Sequence, residues 1–330
     1  MLLVCFITFA YKKFYNIFRM KIKDGYLGHL ACFLVYTIFG LNIVVCKDLT
    51  KECVISPMAI FCLRSIGAGV LFWIISLIMP SEHVEKKDLP KIFAASILGF
   101  FLTQLSFLMA ISRITPFDCS IISSLLPIFT MFIAAIVLKE PITLQKAGGV
   151  TLSFLGIILL IINGVNAQST IATSQPSGIA LMILNVLFFS LYLGAFKPLA
   201  AKYSPITFMK WIFLFSIILS LPIAGNELIH VEYHKLQSGF IWGMLYLIIF
   251  ATFISYFLLP IGQKRIRPTL VSMYSYLQPI IATIISVFIG MDELSWQKLL
   301  AALMVFVGVI VVNKSKGLKL NDKSDHSDLN

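Results

Sequence analysis

The amino-acid sequence predicts an all-α polytopic membrane protein with ten transmembrane helices, arranged as two inverted-topology five-helix repeats. Three observations lead to this prediction: the composition, ten long apolar segments, and a pattern that recurs in the second half. Of the 330 residues, 59% are hydrophobic and only 12% are charged, whereas soluble domains are about 25% charged. This composition excludes an ordinary soluble enzyme and, because the hydrophobicity is high, a disordered chain.

Ten apolar segments, each about 20 residues long, are separated by short connections. An α-helix needs about 20 residues to cross a bilayer, whereas barrel strands are about half as long and alternate in polarity. We therefore interpret all ten segments as transmembrane helices, whose backbone groups bond within the helix and can lie in lipid. They cover approximately residues 27–46, 57–79, 91–111, 117–138, 144–163, 178–196, 205–223, 239–260, 269–290 and 296–313.

The net charge of +11 is distributed between the apolar segments. If the N-terminus is cytoplasmic, twenty Lys and Arg residues fall in cytoplasmic segments and five fall on the other side. This positive-inside bias predicts a multi-pass protein of the plasma membrane with both termini in the cytoplasm. Orientation in the lipid bilayer then accounts for the basic charge, and no nucleic-acid partner is expected.

Polar stretches divide the chain into two repeats with flanking and linking segments. At the start, the apolar run MLLVCFITFA precedes a basic cluster, which is the reverse of a secretory signal. Met20 is therefore the favoured start, and a short interfacial helix is the alternative. The predicted divisions are a cytoplasmic N-terminal segment 1–26, a first repeat 27–163, an external linker 164–177, a second repeat 178–313 and a disordered cytoplasmic tail 314–330.

The second half of the chain repeats the first. Shifting residues 127–160 by 152 places them, without gaps, on residues 279–312, and the polar, Pro and Gly positions carry the match. The matched pairs include Pro127 and Pro279, Glu140 and Asp292, and Gly156 and Gly308. Because each repeat has an odd number of spans, the second is predicted to be inverted. Inverted repeats are typical of secondary transporters, whose substrate site lies near the midplane between the halves.

Several short motifs resemble those of a known transporter family, in the same order and duplicated. They are Phe39-Gly40-Leu41-Asn42 with Lys47, Ser56-Pro57 with Arg64, Leu126-Pro127 through Lys139-Glu140 to Gly148-Gly149, and Gln278-Pro279 through Asp292-Glu293. Over roughly residues 27–314 the chain is similar to EamA-type members of the drug/metabolite transporter (DMT) superfamily, although Phe39 replaces the usual Trp. The resemblance implies ten helices and alternating access to a central cavity, lined largely by helices three, four, eight and nine.

The resemblance leaves the substrate open, because this superfamily moves amino acids, other metabolites, drugs and dyes. We expect a secondary transporter that exports or exchanges a small metabolite such as an amino acid by alternating access. The alternatives are a multidrug or dye exporter of the same superfamily and, from another class, a membrane-embedded enzyme. An enzyme would need polar residues with catalytic or metal-ligand spacing in the spans, and the sequence has none. No cofactor is expected.

Polar side chains inside the apolar segments are the candidates for binding a small-molecule substrate. The alternative for each is a hydrogen bond to a neighbouring helix. Arg64, about 10 Å into the second span at 1.5 Å per residue, is a costly intramembrane charge. It either binds a substrate carboxylate through its planar fork, extends outward to the membrane surface, or hydrogen-bonds carbonyls of a neighbouring helix. The full set is Asn42, Arg64, Gln104, Ser123, Tyr192, Tyr256, Tyr274 and Gln278.

Other motif residues are predicted to be structural. Glu140, Asp292 and Glu293 sit where a helix begins, and acids favour that end of the helix dipole. Gly149, Gly156 and Gly308 permit close helix packing, either within the bundle or in a homodimer. His230 and His234 are four residues apart, but no metal site is expected there. No Asp or Glu lies mid-span, so proton coupling is expected to be weak, with Asp118 and His29 the nearest candidates.

Overall fold

The fold is helical throughout the part of the chain that the structure describes. The computed structural model describes residues 24–51, 55–80, 82–138, 144–166, 174–229, 231 and 238–314, and these ranges contain no β-strand. The N-terminal segment 1–23, the tail 315–330 and most of the linker lie outside them, as do Glu140, His230 and His234. The expectations for those residues remain predictions.

In the described ranges, ten long helical segments follow one another in chain order, besides a short connecting helix. In the first repeat they are α1 (Asp24–Lys51), α2 (Pro57–Ile78), α3 (Lys86–Ile111), α4 (Pro116–Ser123 continued by Leu126–Leu138) and α5 (Leu144–Asn166). In the second repeat they are α6 (Pro176–Ala195), α7 (Pro205–Ile229), α8 (Ser238–Arg265), α9 (Pro268–Phe288) and α10 (Trp296–Lys314). A short helix, Lys197–Lys202, joins α6 to α7.

Eight of these segments are long and apolar enough to cross a membrane. The other two, α5 and α10, carry shorter apolar stretches, Ala147–Leu159 and Trp296–Val311. Large apolar side chains face outward along the bundle, for example Leu303 on α10 and Leu155 on α5. The chain is therefore an all-helical, multi-pass membrane protein, and the predicted count of ten spans depends on α5 and α10.

Some of the helices begin where the sequence supplies proline and a capping hydroxyl. Ser56 Oγ accepts a hydrogen bond from Ala59 N at 3.1 Å, with Pro57 in the first turn of α2. Thr115 caps α4 in the same way, accepting from Asp118 N at 3.2 Å. Proline suits this position because the first backbone N–H groups of a helix have no partner within it, and the hydroxyl satisfies one of those that remain.

Both repeats interrupt their third helix at matching positions. A π-helical turn, Ile97–Phe101 in α3, corresponds at a shift of 152 to the π-helical turn Leu247–Ile254 in α8. In α3, Thr103 Oγ1 donates to the carbonyl five residues earlier, at Leu98. In α8 the equivalent Ser255 Oγ donates to Phe250 O at 2.9 Å. The repeat therefore extends to local backbone geometry, and such π-bulges are frequent at functional sites.

Helices α5 and α10 pack against each other through residues that the repeat relates. Ser153 Oγ donates to Val305 O at 3.3 Å, across a separation of 152 residues. A Cβ on Gly156 would lie 2.8 Å from Ala301 O, and a Cβ on Gly308 would overlap Gly149 O. Of the two roles expected for these glycines, the structure thus places them in packing within the bundle. A homodimer would need another surface and remains a prediction.

Replacing Gly308 with alanine is expected to destabilise the protein by about 1–3 kcal/mol, because the added methyl group must displace backbone. Gly148→Ala on the facing helix is the matched control, since a Cβ there meets nothing within 4 Å. The measurement is the thermal unfolding midpoint of the detergent-solubilised protein. Equal midpoints for the two variants would contradict the close approach of α5 and α10.

Candidate functional site

A cavity lies between the two repeats in the core of the bundle. It is lined by α1, α3 and α4 of the first repeat and by α6, α8 and α9 of the second. Its polar lining residues are Asn42, Thr103, Gln104, Ser123, Asn185, Tyr256 and Gln278. Its apolar lining residues are Phe39, Ile43, Phe107, Leu126, Met182, Val186 and Phe189. None of these side chains is charged.

The structure gathers five of the eight candidate residues around this cavity: Asn42, Gln104, Ser123, Tyr256 and Gln278. Arg64, Tyr192 and Tyr274 lie elsewhere. Two polar lining residues, Thr103 and Asn185, were missed by the sequence analysis, although both interrupt apolar segments as the chosen residues do. Helices α1 and α6 also line the cavity, in addition to the four that the family resemblance implies.

Gln104 and Tyr256 connect the two repeats at the cavity wall. They are equivalent residues, separated by 152 positions, and Gln104 Nε2 donates to Tyr256 OH at 3.1 Å. Tyr256 OH in turn donates to Gly99 O at 3.1 Å, within the π-helical turn of α3. Gln104 Oε1 is buried and has no hydrogen-bond partner.

Two further amides at the cavity are also held by neighbouring groups. Asn185 Nδ2 on α6 donates to Thr103 O at 2.7 Å. On α1, the Cys46 thiol donates to Asn42 Oδ1 at 3.5 Å. In each of these two amides, one end is hydrogen-bonded within the protein and the other end is available to a ligand in the cavity.

Arg64 is fully buried behind the cavity wall rather than in it. Its Nε donates to Thr252 Oγ1 at 2.9 Å and its Nη1 to Cys46 Sγ at 3.8 Å, while Nη2 has no partner. Within the described ranges no carboxylate forms an ion pair with it. The guanidinium thus reaches the cavity only through Cys46 and Asn42.

Tyr192 and Tyr274 make contacts outside the cavity. Tyr192 is buried and donates to Gln263 Oε1 at 3.4 Å. Tyr274 OH lies 2.8 Å from His29 Nδ1. A 3₁₀ turn, Tyr274–Tyr276, separates Tyr274 from Gln278 within α9. Gln278 therefore faces the cavity while Tyr274 contacts α1.

Comparison with protein-family models identifies the family of this chain. The model of the EamA-like transporter family matches residues 26–162 and again residues 176–314. The chain belongs to the EamA-like transporter family. Its two matches correspond to the two halves that enclose the cavity.

Similar proteins are transporters of undescribed substrate. An uncharacterized transporter of Archaeoglobus fulgidus is 25% identical over 288 residues, covering 86% of this chain and 97% of that protein. The Bacillus subtilis uncharacterized transporter YetK is 22% identical and covers 88% of each chain. A crystal structure of a protein aligns with a TM-score of 0.61 at 16% identity, covering 89% of this chain and 99% of that one. This last similarity concerns the fold alone.

At one end of this EamA-family bundle, Asp292 ties the second repeat to the first. Its Oδ2 accepts from Phe117 N at 3.1 Å, at the start of α4. Its Oδ1 accepts from Lys298 Nζ at 2.6 Å and from Glu293 N at 2.9 Å. The acid expected at the start of its own helix thus caps a helix of the other repeat. Ser295 Oγ accepts from Lys298 N at the start of α10.

Asp118 lies close to this contact and is buried. Its Oδ2 accepts from Ser174 Oγ at 2.5 Å, and Ser174 Oγ accepts from Thr115 N at 3.0 Å. The start of α4 is therefore held by the last residues of the linker as well as by Asp292.

At the other end, an ion-pair cluster joins the start of α3 and the residue before it to the end of the short helix that follows α6. Lys202 Nζ contacts Asp88 Oδ2 at 2.6 Å and Glu85 Oε1 at 2.5 Å, and Tyr203 OH donates to Asp88 Oδ2 at 2.8 Å. The hydrogen bond from Lys202 lowers the pKa of Glu85, and the bond to Asp88 raises the pKa of Lys202. Both groups are therefore charged at neutral pH, and their contact weakens as the pH falls through the lowered pKa of Glu85 or rises through the raised pKa of Lys202.

Proposed function

We propose that this EamA-family protein is a secondary transporter that exports or exchanges a small metabolite, such as an amino acid, by alternating access. The observation that carries this proposal is the polar and aromatic cavity enclosed between corresponding helices of the two repeats. Substrate sites of secondary transporters lie at such repeat interfaces. The partners under this proposal are the small-molecule substrate and the lipid bilayer.

Contacts between the repeats at both ends of the bundle support the alternating mechanism. Asp292 joins them at one end and Lys202 at the other. Opening either end to the solute requires its own contact to break while the opposite contact persists. Since no carboxylate lines the cavity within the described ranges, we expect transport to follow the solute gradient or exchange, with weak proton coupling.

A multidrug or dye exporter is the second candidate. The aromatic lining favours it, because Phe39, Phe107 and Phe189 offer flat apolar surfaces to large planar solutes. A screen that includes both amino acids and cationic dyes separates the two functions by which class is transported.

The experiment is counterflow of radiolabelled solutes in proteoliposomes. Ser123→Trp is expected to abolish counterflow by filling the cavity, whereas Leu77→Trp, on an exposed position of α2, is expected to retain it. Solute recovered unchanged supports transport, and chemical conversion would support a membrane-embedded enzyme. Equal activity of the two variants would contradict the cavity as the pathway.

The proposed orientation places both termini in the cytoplasm, with ten spans and an inverted second repeat. In a cysteine-free background, Glu227→Cys at the end of α7 is expected to react with an impermeant thiol reagent added outside intact cells. His83→Cys, in the loop before α3, is expected to react only after the cells are opened. Both positions are exposed. The reverse pattern would overturn the orientation.

A further inference from the structure

We propose that the cavity has a fixed polarity: Gln104 Oε1 and Asn185 Oδ1 bind a primary ammonium group, and Asn42 Nδ2 binds an oxygen acceptor of the same solute. This inference rests on the proposed transport function and specifies its substrate. It follows from which end of the Gln104, Asn185 and Asn42 amides the protein itself occupies.

The orientation of Gln104 is determined by a backbone carbonyl. Gly99 O can only accept a hydrogen bond, so Tyr256 OH must donate to it. The remaining capacity of the Tyr256 oxygen is to accept, and only the Nε2 end of Gln104 can donate to it. Gln104 Oε1 is then the free end, buried and without a donor. A ligand N–H would satisfy an acceptor that is otherwise costly to leave unpaired.

The orientation of Asn185 is determined in the same way. Its partner, at 2.7 Å, is the backbone carbonyl of Thr103, which accepts only from Nδ2. Asn185 Oδ1 is consequently left as an acceptor at the cavity. Because Thr103 precedes Gln104 in α3, both free amide oxygens belong to the wall formed by α3 and α6.

Asn42 on α1 has the opposite orientation. Cys46 Sγ accepts from Arg64 Nη1, which can only donate, and the Cys46 thiol donates to Asn42 Oδ1. Asn42 therefore presents its Nδ2 donor to the cavity. The positive charge of Arg64 lies behind this donor and favours an electron-rich oxygen there. Arg64 is thus a positioning residue rather than a group that touches the solute.

A primary ammonium fits the acceptor side of this arrangement. It has three donors and no acceptor, and the aromatic rings that line the cavity attract cations. A carboxylate placed against two amide oxygens would find no donor. The selected solute therefore carries its amine toward α3 and α6 and its carbonyl or carboxylate oxygen toward α1, as a zwitterionic amino acid does.

The test measures binding to the purified full-length protein in nanodiscs with three matched probes. L-phenylalanine carries both groups, phenethylamine lacks the carboxylate, and 3-phenylpropionate lacks the amine. Leucine, 3-methylbutylamine and 4-methylpentanoate form a second matched set with a smaller side chain. The expected order of affinity in at least one set is amino acid, then amine, then acid.

The variants on the two sides of the cavity should weaken the binding of different probes. Gln104→Met and Asn185→Leu are each expected to weaken binding of the amine and the amino acid by about tenfold or more, because a hydrogen bond to a charged group is lost. Asn42→Leu is expected to weaken the amino acid and leave the amine unchanged. Gln263→Met is the matched control, since Gln263 is buried but does not line the cavity. A variant that merely misfolds would lose all probes alike.

The outcomes separate this inference from the function on which it rests. The proposed polarity would be overturned by any of three results. These are acids that bind as well as amines, an absence of binding by all six probes, and uniform losses of binding in all variants. If one of these results is obtained but counterflow of other solutes is still measured, the proposed transport function stands. Absence of counterflow for every solute would instead remove the transporter proposal itself.

Discussion

Asp292→Ala is expected to lower the free energy of unfolding by about 3–5 kcal/mol, the usual cost of removing one partner of a buried ion pair. The carboxylate is fully buried and Lys298 is nearly so. Removing the carboxylate leaves the Lys298 ammonium without its counter-charge. It also removes the acceptor for Phe117 N at the start of α4.

The measurement is thermal unfolding of the solubilised protein, with Glu293→Ala as the control. Glu293 is the adjacent acid but is exposed, so its removal should change the midpoint little. Adding Lys298→Met to Asp292→Ala should recover a large part of the loss, because the unpaired buried charge is then absent. If the double variant is as unstable as Asp292→Ala, the loss comes from the helix cap rather than from the ion pair.

Arg64→Lys is expected to reduce transport per unit of membrane protein about tenfold or more, nearly as much as Arg64→Gln. Lysine keeps the charge but lacks the planar fork, so it cannot contact Thr252 and Cys46 as the guanidinium does. Each charge-assisted hydrogen bond contributes about 1.5–3 kcal/mol. A residue that bound the solute by charge alone would instead tolerate lysine better than glutamine.

The readout is counterflow of an amino acid and of its methyl ester, normalised to protein amount. We expect a larger defect for the amino acid, because Arg64 positions the Asn42 donor that meets the carboxylate. Thr252→Val, which removes one contact of the guanidinium, should give a smaller defect of the same kind. Normal transport in both Arg64 variants would show that the buried charge is dispensable.

The sequence was sufficient to predict features that depend on residues near one another in the chain. Apolar segments of about 20 residues predict the helices, and Pro57 with Ser56 predicts where α2 begins. The 152-residue shift anticipates the matching residues of α5 and α10. Five of the eight candidates line the cavity. The other three contact neighbouring helices, because a polar side chain within an apolar helix also serves helix–helix hydrogen bonds.

Other features depend on contacts between distant segments, which the sequence does not display. The position of Arg64 behind the cavity wall depends on Thr252, 188 residues away. The capping of α4 by Asp292 spans 175 residues. Local reasoning assigned Asp292 to its own helix because the dipole rule considers only neighbours in sequence, whereas tertiary packing brought a second helix start within reach.

The contact between α5 and α10 has a consequence for the energies of the transport states. At the shift of 152, Gly156 corresponds to Gly308 and Gly149 corresponds to Ala301. If the two halves exchanged conformations, the contact of Gly156 with Ala301 would therefore take the place of the contact of Gly308 with Gly149. Under the proposed alternating access, such self-related contacts contribute nearly alike to the inward-open and outward-open states and favour neither strongly. In that mechanism, the resting preference comes from residues without a like counterpart. Arg64 is one of them, since it corresponds to Ile212 when Ser56-Pro57 is aligned with Ser204-Pro205.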